Sequence, residues 1–163
     1  MKRIAQFEKV SKERFVSDWE WGNAERVYDE IKLPRRATSG SAGYDFYTPL
    51  DVTLAPGETV KIPTGVRVKI EDGWVLKIYP RSGLGFKYRL QLNNTVGIID
   101  SDYYYSDNEG HMFIKITNDS KEGKIVSIKA GEGFAQGIFV EYGITYDDDV
   151  TEVRNGGFGS TTK

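Results

Sequence analysis

One run, Asn93 to Gly110 (NNTVGIIDSDYYYSDNEG), holds an apolar stretch from Val96 to Ile99 that ends in Asp100, followed by Asp102 and three tyrosines. Such an arm delivers a carboxylate and an aromatic face to its tip. The pattern reads as a hairpin with Asp100 near its tip. A solvated acidic turn fits the same residues, since tyrosine favours strands on its own account. A second run, Tyr79 to Leu92 (YPRSGLGFKYRLQL), sets Arg81 and Ser82 before Gly83 and Gly85. Glycines let backbone approach a ligand, successive amides form an anion nest, and an arginine with a hydroxyl suits phosphate. An ordinary strand-ending turn is the alternative, and the GxxxxGK[ST] spacing of a P-loop is absent.

Three smaller signals accompany these. Asp45 in SAGYDFYTP suits either a metal ion held through water or the cap of a turn. Gln136 is a polar residue in the otherwise apolar GFAQGIFVEY, so it must bond a ligand or neighbouring backbone. The last residues, VRNGGFGSTTK, place Phe158 between glycines, where a ring can swing onto a flat partner as aromatics stack on nucleobases. Arg154, Ser160 and Thr161 then reach phosphate oxygens, whereas a frayed terminus is the plain alternative. Jointly the five stretches describe one ligand with a flat ring, a sugar, a phosphate chain and a metal.

The elements that must position these residues follow from the whole chain. Its 163 residues suit one domain, and 39% hydrophobic content suffices for a core. A net charge of −2 gives no global field for nucleic acid or membrane. Without cysteine, disulfides, thiol nucleophiles and Cys-based zinc sites are excluded. The sole histidine, His111, lies in SDNEGH and is expected in a solvated loop. The start of the chain carries charges throughout and no apolar signal region, and no run nears the roughly 20 residues needed to span a bilayer. The expectation is a soluble cytoplasmic protein without stable nucleic-acid or membrane binding.

Residues 1–31 read as an extension with one or two short helices, one capped by Ser11 and one by Asn23, ended by Pro34. They serve either as a surface for an unidentified regulatory protein or as packing on the core. From residue 43 the pattern turns to strands. GVRVKI alternates, with Val66, Val68 and Ile70 on one face and Arg67 and Lys69 on the other. About ten short strands broken by turn signals predict an all-β sandwich, jelly roll or barrel, and no helix is expected after residue 43.

In order, AGYD (42–45), PRSGLG (80–85), NNTVGIIDSDY (93–103), GFAQ (133–136) and GGFGST (156–161) resemble the five motifs of the trimeric all-β dUTP pyrophosphatases, the dUTPases. The resemblance covers residues 32–163. It implies a distorted jelly-roll, β-clip-like subunit with a β core over 32–153, a mobile lid over 154–163, and a homotrimer with shared active sites. It also implies hydrolysis of dUTP to dUMP and pyrophosphate with Mg²⁺, which limits uracil in DNA and supplies dUMP for thymidylate synthesis. By the same resemblance Asp100 activates the attacking water. Tyr103 packs under the deoxyribose, and Asn94 with the backbone of Gly97 to Ile99 reads uracil. Arg81, Ser82, Gly83 and Gln136 hold phosphates, and Asp45 supports the metal through water. Phe158 and Gly159 lid the base, with Arg154, Ser160 and Thr161 on the terminal phosphates.

The chain departs from the family pattern in a longer tip after Tyr103, in Gly133 where arginine is usual, and in the spacing of Arg154 to GGFG. Two rivals stand beside this reading: a dCTP deaminase, alone or bifunctional, and a non-catalytic nucleotide-sensing regulator. The aromatic lid disfavours the first, and Asp100 disfavours the second.

Overall fold

The structure, a computed structural model, describes residues 1–154. Every strand pairing among them is antiparallel. The largest sheet has five strands in the order β2 (Arg35–Arg36), β3 (Tyr44–Tyr47), β12 (Gly133–Glu141), β7 (Trp74–Pro80) and β9 (Gly97–Ile99). A three-stranded sheet joins β5 (Thr59–Pro63), β10 (Phe113–Asn118) and β8 (Leu90–Leu92). Two pairs complete the fold: β11 (Val126–Ile128) with β4 (Val52–Leu54), and β1 (Ala5–Lys9) with β6 (Val66–Ile70). This is an all-β architecture of the kind the strand spacing predicts, in the jelly-roll-like form that the family resemblance implies.

The core forms because alternation places one face of each strand inward. Val66, Val68 and Ile70 are buried, as the pattern of β6 requires, and Ile114 and Ile116 of β10 meet Leu90 and Leu92 of β8 in the same cluster. Fully buried Asn118 survives there because its Nδ2 donates to Leu54 O and Lys124 O while its Oδ1 accepts from Ser120 N.

The first 31 residues hold a strand as well as helices, a correction to the expectation. β1 pairs along β6, and its Phe7 packs edge-on against Phe46 at 5.7 Å. Helix α1 (Lys12–Asp18) starts where Ser11 accepts a hydrogen bond from Arg14 N, and it buries Phe15 completely. Helix α2 (Ala24–Glu30) starts at Asn23 in a left-handed conformation, φ 60°, without a side-chain cap. Tyr28 of α2 donates to Val10 O within the segment, and Phe7 and Ile31 pack it against the core.

Two further corrections fall after residue 43. Ser82–Tyr88 forms a helix, α3, ended by Arg89 at φ 54°. The Asp100 hairpin is instead a strand followed by a 3₁₀ helix, Ser101–Tyr105. The three tyrosines therefore diverge: Tyr103 is buried, Tyr104 is half-buried and Tyr105 is exposed.

His111 is fully buried rather than solvated. Gly65 N–H donates to its Nε2 at 2.8 Å, so the ring is neutral and Nδ1–H donates to Asp18 Oδ2 at 2.6 Å. Burial holds its pKa below the ordinary imidazole value, against the upward pull of Asp18. The unfolded imidazole takes a proton first, as pH falls below about 6.5, so the stability from neutral burial is complete above that value and is lost below it. The urea midpoint is expected to be higher at pH 7.5 than at pH 5.5, with a smaller difference in His111→Asn. An equal difference in the variant would contradict this.

Candidate active site

The predicted site residues fall into two groups within one chain. In the first, the register sets Asp45 of β3 opposite Gln136 of β12, and Gln136 opposite Tyr79 of β7. Arg81 leaves the end of β7 as the N-cap of α3 and puts its Nε 3.2 Å from Asp45 Oδ1. Its Nη1 donates to Gly133 O at 3.2 Å. Gln136 Nε2 donates to Pro80 O at 3.0 Å, so the lone polar residue of this strand bonds backbone and fixes the residue before Arg81. Ser82 and Gly83 are exposed at the first turn of α3, where backbone N–H groups lack intrahelical acceptors. A shallow cavity beside them is lined by Arg81, Gly83, Lys87, Tyr88, Glu132 and Gly133.

Two glycines here have roles the sequence reading missed. A Cβ on Gly43 would lie 2.7 Å from Gln136 Oε1, and one on Gly133 would lie 2.8 Å from Arg81 Nη1. The departure at Gly133 thus makes room for the Arg81 guanidinium.

The second group gathers after β9. Asp100 ends that strand and caps the 3₁₀ helix. Arg154 Nη2 donates to Asp100 Oδ2 at 2.6 Å and its Nε to Asp102 Oδ1 at 2.9 Å. The two carboxylates stay 49% and 50% exposed, whereas the arginine side chain is only 13% exposed. Its guanidinium stands 5.9 Å from the Tyr103 ring centroid. Asp102 is a partner the sequence reading did not assign; its spacing of two from Asp100 was the available signal. Burial raises the Tyr103 pKa, so its hydroxyl stays protonated and donates to His111 O.

β9 is an edge strand, paired only with β7 among the described residues. Its far side offers backbone donors and acceptors, and Ile98 is 50% exposed there. Asn94 is exposed in the preceding loop, beside Thr95 at φ 67°. A Cβ on Gly97 would meet Ile78 Cβ at 3.0 Å, so glycine lets this edge lie close on β7. Phe158, Gly159, Ser160 and Thr161 lie outside the described residues.

The two groups stand at opposite ends of β7. Asp100 follows Ile99, which pairs with Leu76, whereas Arg81 follows Pro80. Roughly six residues at about 3.3 Å each separate them, a gap of about 20 Å. Among the described residues no three His, Asp or Glu side chains converge to hold a metal.

The family model for dUTPase matches residues 29–162. The chain belongs to the dUTPase family. The deoxyuridine 5'-triphosphate nucleotidohydrolase of Lactococcus lactis is 45% identical over 134 residues, which are 80% of this chain and 88% of that protein. The Streptococcus mutans dUTPase crystal structure superposes with a TM-score of 0.66 at 34% identity, covering 85% of this chain and 97% of its own. The Staphylococcus bacteriophage 80alpha dUTPase with dUPNHPP gives a TM-score of 0.66 at 25% identity, covering 98% and 99%. These relatives are hydrolases by name, so the deaminase alternative is not favoured. Among the described residues of this dUTPase, no helix is long and apolar enough to cross a membrane.

Gly133→Ala tests the Arg81 seat. The methyl group must push the guanidinium aside, which is sterically cheap because a flexible side chain gives way. KM for dUTP is expected to rise about tenfold with little change in melting temperature. An unchanged KM would show that the seat is not needed.

Proposed function

We propose that this dUTPase hydrolyses dUTP to dUMP and pyrophosphate at sites shared between the copies of a homotrimer. The observation that carries this reading is the gap of about 20 Å between Asp100 and Arg81. A general base must lie within hydrogen-bond reach, about 3 Å, of the water it activates. A phosphate-binding arginine must touch the same phosphate chain. One chain cannot bring both to one nucleotide, so a second copy supplies the Arg81 group to the first copy's Asp100 group.

In this site the uracil lies along the free edge of β9, read by backbone groups from Gly97 to Ile99 and by Asn94. The Tyr103 ring packs under the deoxyribose and leaves no room for a 2′-hydroxyl. Asp100 orients a water in line with the α-phosphorus and takes its proton as the new P–O bond forms. The bond to the bridging oxygen breaks, and pyrophosphate leaves. An aspartate is a weak base, so positioning the water contributes more than basicity. Arg81, Ser82 and Gly83 hold the phosphates, and Gln136 fixes the backbone from which Arg81 projects. The incoming phosphates compete with Asp100 and Asp102 for Arg154, whose release frees the base. The segment after Arg154, with Phe158, Gly159, Ser160 and Thr161, closes over the base and terminal phosphates.

The residues present fit Mg²⁺ bound mainly through the substrate. Asp45 offers one carboxylate, 22% exposed and already beside Arg81, which suits a metal-bound water better than the ion itself. When bound, Mg²⁺ offsets the charge of the phosphate chain.

Product chromatography after incubation with Mg²⁺ and dUTP, dCTP, UTP or dTTP tests the reading. It expects dUMP and pyrophosphate from dUTP, with the other nucleotides left largely intact. Conversion of dCTP to a deoxyuridine nucleotide, or no product from dUTP, would contradict it.

A further inference from the structure

We propose that Asp18 and His111 form a positioning pair that sets Tyr103 in the active site, so that the amino-terminal residues 8 to 18 govern sugar discrimination. The inference rests on the reading of Tyr103 as the residue beneath the deoxyribose. His111 is 0% exposed, and both ring nitrogens are engaged, one by Gly65 N–H and the other by Asp18. These two bonds fix the ring between α1 and the β5–β6 turn, against Phe15 and Phe113 at 6.2 Å and 4.6 Å. The backbone of the same residue then acts on the site: His111 O accepts from the Tyr103 hydroxyl, and Asn108 Nδ2 donates to that hydroxyl at 2.9 Å. A shift of the imidazole therefore carries the acceptor of Tyr103 with it.

Two more tethers join the same partners. Glu109 accepts from Ser11 N and Oγ at 2.8 Å and 2.6 Å, and Tyr104 donates to Glu8 at 2.8 Å. Residues 8 to 18 thus grip the chain from 104 to 111 at three points. The turn itself is tight: Gly110 sits at φ 71°, and a Cβ there would come within 2.8 Å of Tyr103 O. Small movements of the loop must pass to the tyrosine, because no slack separates them. Asp18 is itself held by Arg14, through Nε at 3.1 Å and Nη2 at 2.9 Å, so the carboxylate is oriented before it meets the imidazole. A merely structural buried histidine would stabilise the fold without affecting selectivity.

The test compares kcat/KM for dUTP and UTP, together with melting temperature, in the full chain and its Asp18 variants. Asp18→Ala leaves Nδ1–H buried without an acceptor and is expected to lower the dUTP/UTP ratio about tenfold. Asp18→Asn retains an oxygen acceptor and is expected to restore the ratio to within about threefold. Should Asp18→Ala not fold, Asp18→Ser, whose hydroxyl stops short of the imidazole, is read in its place with the same expected loss. A lowered melting temperature with an unchanged ratio would overturn the positioning role and leave the hydrolase reading intact. An unsubstituted chain inert toward dUTP would overturn both.

Discussion

Asp100→Asn is expected to lower kcat for dUTP by about 10³-fold while nucleotide binding persists. The substitution keeps shape and removes the proton acceptor. Asp100 is the carboxylate that terminates β9, the edge strand proposed to read the base, and in the proposed site it stands beside the sugar and α-phosphate of the nucleotide. Its partner Arg154 would still meet an oxygen, either from the asparagine or from Asp102 at 2.9 Å. The local turn is held by Tyr103 N donating to Asp100 O, a backbone bond that the substitution spares. Isothermal titration with a non-hydrolysable dUTP analogue separates the two quantities. Equal loss of binding and turnover would assign Asp100 a binding role, and full turnover would remove it from the chemistry.

Removing residues 154–163 is the second large effect. It deletes Arg154 from the acidic turn together with the proposed aromatic lid, and kcat is expected to fall about 10²-fold. Among the described residues the last strand ends at Glu141, so the deletion touches no strand pairing among them, and the sedimentation coefficient is expected to be that of the same assembly. Turnover equal to that of the full chain would show that the glycine-rich end does not close the site. A change of assembly would show that it holds the copies together instead.

The legible parts of this protein were those where a local rule decides. Alternation gave β6 with its buried and exposed faces, and Ser11 marked the start of α1 by its capping bond. The family motifs named nearly every residue of both groups. Other parts were hidden by local chemistry that tertiary packing overrides. α3 contains Gly83 and Gly85, poor helix formers, yet Leu84 and Tyr88, four apart, both pack on the core and hold the turn. β1 is short and mixes charged with apolar residues, so its strand character comes from pairing with β6. His111 lies among polar neighbours, and only the return of α1 onto its loop buries it. The division into two groups depends on strand register, which no single motif encodes.

Shared sites are the central claim, and mixing two inactive variants tests them most directly. Asp100→Asn lacks the base but keeps the Arg81 group, and Arg81→Ala has the reverse defect. If the groups meet across copies, co-refolding the two in equal amounts should restore about one quarter of the unsubstituted activity, since random assembly completes that share of sites. Activity no greater than the sum of the two separate variants would mean that each chain builds its own site, and the account would be wrong.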